Sequence, residues 1–302
     1  MNTTILPNTL LIGVQKAGTT SLYDWISQHP DIYGPSTVKD FHFFLNDVHY
    51  NKGISWLSSF FKDYNKEKIV LQGAVNYIYF SHVADRISKE LSSDIKFLLI
   101  LRNPAKRAWS AYQYFHKNGS ENADFRTALD RELNYPYTGV VEKAHFDYIG
   151  HGYYFEQISS YLKYFKPEQF KILFYEEIMT DKSNAVRNVF DFLGVDAGFQ
   201  PKFSKLNLTG KARSRWLNRL LFGNSVLKKI LRAVNITRLI PRERKVSFSN
   251  FMRKANTRTV NDTDADTKMP EKEYRELMAY YQEDMAKLSA FLGKDLDSIW
   301  KY

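Results

Sequence analysis

Apolar residues fall into two patterns along this chain. Short, nearly unbroken runs over Thr9–Val14, Lys68–Val75, Ile95–Leu101 and Lys171–Tyr175 have the length of strands buried on both faces. Between and after them, apolar positions recur at three- and four-residue spacing. That spacing predicts helices over Thr19–His29, Ala105–His116, Phe125–Asn134, Tyr154–Phe165, Ser183–Leu193 and Glu271–Leu292. Strands that alternate with helices are joined by right-handed crossovers, so the expected fold is α/β, with a central, mostly parallel sheet flanked by helices in three layers. Tyr135–Gly152 fits neither pattern. It is aromatic and punctuated by glycine, and is expected to be a long loop lining an acceptor site rather than a plain connector.

Two strand-to-helix junctions carry chemistry. The first strand stops at Gly13 and delivers Lys16, Ala17, Gly18, Thr19, Thr20 and Ser21 to the start of a helix. Successive backbone amides there form an anion cradle, reinforced by the positive end of the helix dipole. The loop is not a Walker A sequence, because Thr19 stands directly after the second glycine where that motif has lysine, and Lys16 lies inside the loop instead. It therefore suits a phosphate without being arranged for the β- and γ-phosphates of ATP. The second junction follows Phe97–Leu101: Arg102 leaves the strand end, Pro104 opens a helix and Ser110 lies two turns on. Ligands bind at that end of open α/β sheets, and a guanidinium beside a hydroxyl equips it for a second phosphate.

With both junctions in view, the chain resembles the PAPS-dependent sulfotransferases (PAPS is 3′-phosphoadenosine 5′-phosphosulfate), nearest to the carbohydrate, heparan-type and bacterial members. Lys16-x-Gly18-Thr19-Thr20 resembles the family's 5′-phosphosulfate loop, and Leu101-Arg102-Asn-Pro-x-x-Arg107-Ala-x-Ser110-x-Tyr112 its 3′-phosphate motif. Gly152-Tyr-Tyr154-x-x-Gln157-Ile158, Lys171-Ile-Leu-Phe-Tyr175-Glu176-Glu177-Ile178 and Phe190-Asp-Phe-Leu-Gly194-Val resemble its later helices and strand. The likeness is good from Thr9 to Val195, weaker over Met269–Trp300 and poor between Pro201 and Thr267. It implies one sulfotransferase domain over 1–302 with a P-loop-like fold, a basic helical substrate-side insertion at about 201–267, and PAPS as co-substrate without a metal. It also implies that Lys16–Ser21 hold the 5′-phosphate and that Arg102 and Ser110 hold the 3′-phosphate. Lys211 and Arg213, in Gly210-Lys211-Ala-Arg213-Ser214, resemble a third clamp on that phosphate.

Transfer of a sulfuryl group needs a cation where the leaving phosphate oxygen becomes anionic and a base for the acceptor's proton. Lys16 is the candidate cation. Lys39-Asp40-Phe41-His42-Phe43-Phe44 resembles the K-E-x-H-F-F motif of glycan-modifying members, whose glutamate is the proposed base; Asp40 holds that position with an arm one methylene shorter. His42 is the competing base, with a side chain that titrates near neutrality. Gly73-Ala74-Val75-Asn76-Tyr77 aligns with the family's G-E-K-[ST]-P strand end, so its acid and lysine are replaced by Ala74 and Val75 and its proline by Tyr77. That loss argues against a heparan-like acceptor.

Composition narrows the picture further. With 302 residues the chain can bury a full core, and the absence of cysteine excludes disulfides and thiolate chemistry. Cysteine-free composition, no apolar run near ~18 residues and no leader pattern over Met1–Asn8 together predict a cytoplasmic enzyme, set apart from the Golgi-lumen carbohydrate sulfotransferases. The net charge of +10 is uneven: Pro201–Val260 holds sixteen Lys and Arg against one acid, Glu243, so this segment carries +15 and the remainder −5. Ser214–Phe222 through Val226–Arg232 place apolar residues at helical spacing with cations between them, a helix either core-facing with a solvated cationic side or part of a surface over 211–258 that touches a polyanion or the anionic inner membrane surface. The acceptor is expected to be a hydroxyl of a carbohydrate, glycolipid or small metabolite, and no nucleic-acid partner is expected. Two other readings stay open: a small-molecule or nucleoside kinase of P-loop fold, and a non-catalytic nucleotide- or polyanion-binding protein.

Overall fold

A run such as Leu10-Leu11-Ile12 has no polar face to give to water, so it is stable as a strand only with neighbours on both edges and helices on both sides. The computed structural model of the protein describes residues 4–36, 39–203 and 268–300, together with the backbone of 211–212 and 257–258. In it the predicted strands become β1 (Thr9–Gly13), β3 (Ile69–Gly73), β4 (Lys96–Leu101) and β5 (Phe170–Phe174), joined by a short β2 (Ile32–Tyr33). All pair in parallel in the order β2-β3-β1-β4-β5. Every residue of β1 and β3 is buried.

The helices are α1 (Thr19–Ile26), α2 (Asp47–Tyr50), α3 (Ile54–Ser58), α4 (Ser81–Glu90), α5 (Pro104–Lys117), α6 (Phe125–Asn134), α7 (Val140–Phe146), α8 (Tyr154–Leu162), α9 (Tyr175–Thr180), α10 (Lys182–Leu193), α11 (Glu271–Leu292) and α12 (Leu296–Ile299). α10 ends as its sequence requires, with Gly194 in the left-handed conformation at φ 75° accepting the turn out of the helix. The chain divides into two compact units, one of residues 1–108, 149–206 and 274–302, the other of 109–148 and 207–273. The first unit contains the whole parallel sheet. Its α11 buries Tyr274, Leu277, Tyr281, Met285 and Leu288, and Asp284 accepts the Phe155 and Glu156 amides at 2.9 and 3.0 Å, capping α8 from outside the helix. In the second unit Asp124 caps α6 by accepting the Thr127 amide at 2.9 Å, and Trp109, Tyr112 and Phe125 pack ring on ring.

Three expectations change. α1 stops at Ile26, three residues early, because turns through His29 lead directly into β2. α4 was not expected, although Val83, Ala84 and Ile87 give it a buried face. Tyr135–Gly152 is not one loop: α7 and a 3₁₀ turn over Gly150–Gly152 occupy much of it. Outside the sheet, Lys211–Ala212 (β6) pairs antiparallel with Thr257–Arg258 (β7). The helical reading of Ser214–Arg232, and most of the insertion at 201–267, lie outside the described residues.

Candidate active site

The order of the strands puts the C-terminal ends of β3, β1 and β4 side by side. Gly73, Gly13 and Leu101 are therefore the floor of the candidate site, and the loops that leave them are tied to one another. The amides of Ala74 and Ile78 donate to Leu11 and Ile12 carbonyls at 2.9 and 3.0 Å, and the Val14 amide donates to the Ile100 carbonyl at 2.9 Å.

The loop after β1 is curled by two left-handed residues, Lys16 at φ 70° and Gly18 at φ 83°. A lysine in that region carries a strain of about 1–2 kcal/mol, and alternation of this kind turns successive amides to one side. A Cβ at Gly18 would also stand 3.3 Å from the Tyr175 ring, a tight contact. The Ser21 and Leu22 amides return to the Gly18 carbonyl at 3.0 and 3.1 Å, so Thr19 and Thr20 contribute first-turn amides that the helix itself does not use. Ala17 and Thr19 are buried, Lys16 and Ser21 half-buried and Thr20 exposed.

Arg102 links this cradle to the second one. Its Nη1 donates to the Lys16 carbonyl at 2.8 Å and its guanidinium lies 4.5 Å from the Tyr175 ring centre, while its buried Nε has no hydrogen-bond partner among the described residues. The backbone beside it is fixed from three directions. The Tyr154 hydroxyl donates to the Arg102 carbonyl at 2.8 Å, Glu176 accepts the Asn103 amide at 3.0 Å, and the Asn103 side chain donates to the Trp300 carbonyl at 3.1 Å. Ser110 lies further along α5, in the part that belongs to the second compact unit. Lys211 is on β6, its side chain outside the description, and Arg213 lies outside the described residues.

Asp40 reaches the third strand end. It forms a parallel bridge to Gly73, and its Oδ1 accepts the Val75 amide at 3.2 Å. The Lys39 ammonium lies 4.0 Å from the other oxygen, Oδ2, and donates to the Thr19 hydroxyl at 3.3 Å. The structure thus gathers Lys16, Thr19, Arg102, Asp40 and Lys39 around one floor. His42 is two residues on, its Nδ1 buried without a partner. Burial lowers its pKa; the Asp40 charge opposes this, and His49 and Lys39 add to it, so the imidazole is held neutral. Tyr77, in the place of the family's proline, is fully buried, and its hydroxyl accepts the Phe44 amide at 3.1 Å and the Gln72 side chain at 3.0 Å. Sequence reasoning passed over three residues here: Lys39, Tyr175 and Glu176. All three stand within the quoted motifs, but nothing in a linear pattern says that Tyr175 lies beneath Gly18 and Arg102. Among the described residues no group of three or more His, Asp or Glu side chains could hold a metal ion.

Comparison with known proteins gives this geometry a family. The family model described as "Sulfotransferase domain" matches residues 6–289. Human heparan sulfate glucosamine 3-O-sulfotransferase 5 is 30% identical over 211 residues, covering 67% of this chain and 56% of that protein. Human bifunctional heparan sulfate N-deacetylase/N-sulfotransferase 2 is 29% identical over 205 residues, covering 63% of this chain and 22% of that protein. The chain therefore spans about half the length of the first relative and about a fifth of the second. A solved sulfotransferase from Alicyclobacillus acidocaldarius superposes with a TM-score of 0.70 at 25% identity, covering 99% of this chain and 100% of that one.

These relatives overturn the cytoplasmic expectation. They are carbohydrate sulfotransferases of the group from which the cysteine-free composition had set the chain apart, so cysteine content does not locate it. No described helix is long and apolar enough to cross a membrane. With a family match along nearly its whole length and a parallel sheet whose strand ends carry both motifs, the chain belongs to the sulfotransferase domain family, whose chemistry is sulfuryl transfer.

Proposed function

We propose that this protein transfers the sulfuryl group of PAPS in line to a hydroxyl of a glycan acceptor. The observation that carries the reading is the Arg102–Lys16 bond at 2.8 Å, which joins two anion cradles at neighbouring strand ends, one for each phosphate of this nucleotide. The residues fit the group. The 5′ side meets the first-turn amides, the Thr19 and Thr20 hydroxyls and Lys16, and the 3′ side meets Arg102, whose buried Nε has no acceptor among the described residues. Lys16 stabilises the leaving oxygen as its charge grows, the point at which an oriented cation has most effect on rate.

Asp40 takes the acceptor's proton. Its Val75 hydrogen bond and its bridge to Gly73 hold it at the end of β3, and the oxygen that Val75 does not use is the one proposed to meet the acceptor. His42, neutral and buried at Nδ1, supports the segment. A glycan is favoured because the relatives named above act on heparan sulfate, although Ala74 and Val75 remove charges that would hold a strongly acidic chain. The kinase reading lacks its loop lysine at Thr19. Radiolabelled sulfate transfer from PAPS across a panel of neutral and acidic oligosaccharides tests the proposal. Incorporation into at least one glycan is expected, and no incorporation together with tighter binding of ATP than of 3′-phosphoadenosine 5′-phosphate (PAP) would sink it.

A further inference from the structure

We infer that the junction of α6 and α7 in the second compact unit is a lipid-docking tip, whose apolar side chains enter the interface of a bilayer rich in anionic lipid. Nine large apolar side chains are exposed among the described residues, and four of them fall within residues 133–141. Tyr135 is 76% exposed, Val141 67%, Leu133 47% and Val140 44%. Single exposed apolar residues are ordinary on a protein surface; a concentration around one turn is not.

The turn is held in this form from behind. The Tyr135 amide donates to the Arg131 carbonyl at 2.8 Å and closes α6, while the Asn134 side chain donates to the Asp130 carbonyl at 2.7 Å. Two residues on, Tyr137 faces the other way: its hydroxyl accepts Arg131 Nε at 2.9 Å and its ring lies 6.3 Å from that of Phe146. Arg131 is itself paired with the buried Glu121. The Lys143 amide donates to the Gly139 carbonyl at 2.9 Å to begin α7, whose one buried residue is Ala144. The polar partner of the turn is therefore turned inward, and the apolar side chains are left outside. Backbone groups that leave water need partners. Here the Tyr135 and Lys143 amides have them, and Pro136 has no N–H to satisfy. Glu142 turns its carboxylate back beside Gly139, where a Cβ would stand 3.0 Å from Oε2.

Charge selects the occupant. The second unit, residues 109–148 and 207–273, has twenty Lys and Arg against twelve Asp and Glu, and so carries +8 of the chain's +10. A short apolar tip alone holds a protein to lipid only weakly, and a basic surplus on the same body is the second signal that makes the attachment stable. A second copy of the chain meeting this face about a two-fold axis would set +8 against +8. A polyanionic glycan would answer the charge but leave Tyr135, Val140 and Val141 in water. Anionic lipid supplies both the headgroup charge and the apolar layer, and tyrosine is favoured at that boundary because its ring is apolar and its hydroxyl polar.

The test uses the full chain and sedimentation with vesicles of phosphatidylcholine alone or mixed with phosphatidylglycerol. Wild type should bind the mixed vesicles and not the neutral ones. A triple variant, Tyr135→Ser with Val140→Ser and Val141→Ser, changes exposed side chains and should keep the wild-type melting temperature. It should bind the mixed vesicles at least about tenfold more weakly at equal salt. In a separate Tyr135→Trp variant, read by exciting that indole against the wild-type background, emission should move to shorter wavelength on vesicle addition and be quenched by brominated acyl chains. Failure of wild type to bind the mixed vesicles would overturn the inference. So would equal binding by the folded triple variant, or an unshifted Trp signal, since charge alone would then account for attachment. Self-association in analytical ultracentrifugation that the triple variant loses would assign the tip to a second copy, and retention on dextran sulfate that it loses would assign the tip to a glycan; either result overturns the lipid reading. PAP binding by the same wild-type preparation reports on the nucleotide site separately, so the two readings fail independently.

Discussion

Removing the Arg102 guanidinium tests whether the second cradle reads the 3′-phosphate. In the Arg102→Ala variant two kinds of contact disappear. One is internal: the 2.8 Å bond to the Lys16 carbonyl that holds the first loop in place. A hydrogen bond with a charged donor in a half-buried setting is worth about 1.5 kcal/mol, and its loss loosens the loop whichever nucleotide is bound. The other is external: the Nε–H and the remaining edge of the guanidinium, which has no protein acceptor at Nε. One or two charge-assisted bonds to phosphate at about 1.5–3 kcal/mol each amount to about 3 kcal/mol, or roughly a hundredfold in affinity. PAP and adenosine 5′-monophosphate differ only by the 3′-phosphate, so calorimetric titration of both separates the two contributions. PAP should weaken by about a thousandfold and the monophosphate by only about tenfold. Equal losses for the two would show that Arg102 serves the loop alone, and the assignment of the 3′-phosphate to this strand end would be refuted.

Other substitutions probe the rest of the site and the fold. Lys16→Ala should lower turnover far more than PAP affinity, because its charge matters most as the leaving oxygen becomes anionic; normal turnover at saturation would exclude that role. Asp40→Asn should reduce turnover by ~10²–10⁴-fold with nucleotide binding intact, while His42→Asn costs much less; the reverse ranking in steady-state assays would exchange their roles. Tyr77→Phe removes the acceptor of two buried donors, the Phe44 amide and the Gln72 side chain, and should destabilise by about 2–4 kcal/mol, seen as a fall of several degrees in thermal melting. In Glu121, burial pushes the carboxyl up, but the Arg131 contact and the Ala123 and Asn122 amides together outweigh it and hold the pKa below the ordinary 4.5. Its contribution is therefore complete above about pH 4.5 and lost as pH falls through the lower folded value, so Glu121→Gln should flatten the acid arm of a stability–pH curve; an unchanged arm would count against the pair.

What could be read from the sequence follows from how local each signal is. β1 and β4 were legible because an unbroken apolar run has one stable outcome, and Lys16 and Arg102 were legible because each sits at the end of such a run. α4 was missed although Val83, Ala84 and Ile87 mark its face, since three apolar positions in a polar stretch compete poorly with longer patterns. α7 was hidden for a related reason: Ala144 is its one buried residue, so it leaves almost no periodic trace. Tyr175 and Lys39 depend on tertiary proximity. Tyr175 matters because a chain segment more than 150 residues downstream of Gly18 brings a ring against it, and Lys39 because Gly73 lacks a side chain. Neither relation exists in the linear pattern.

The Trp300 carbonyl that accepts from Asn103, a residue 197 positions earlier, and the Trp300 indole that donates to Glu176 have a consequence for synthesis. A ribosome completes the sheet-forming stretch, phosphate loop included, long before it delivers the residue that locks the Arg102 junction. A nascent chain can thus hold the first cradle without the finished second one, and nucleotide capture at full affinity is deferred until Trp300 has left the exit tunnel. Ribosome-bound chains halted before and after that residue would show the step as a late rise in PAP retention.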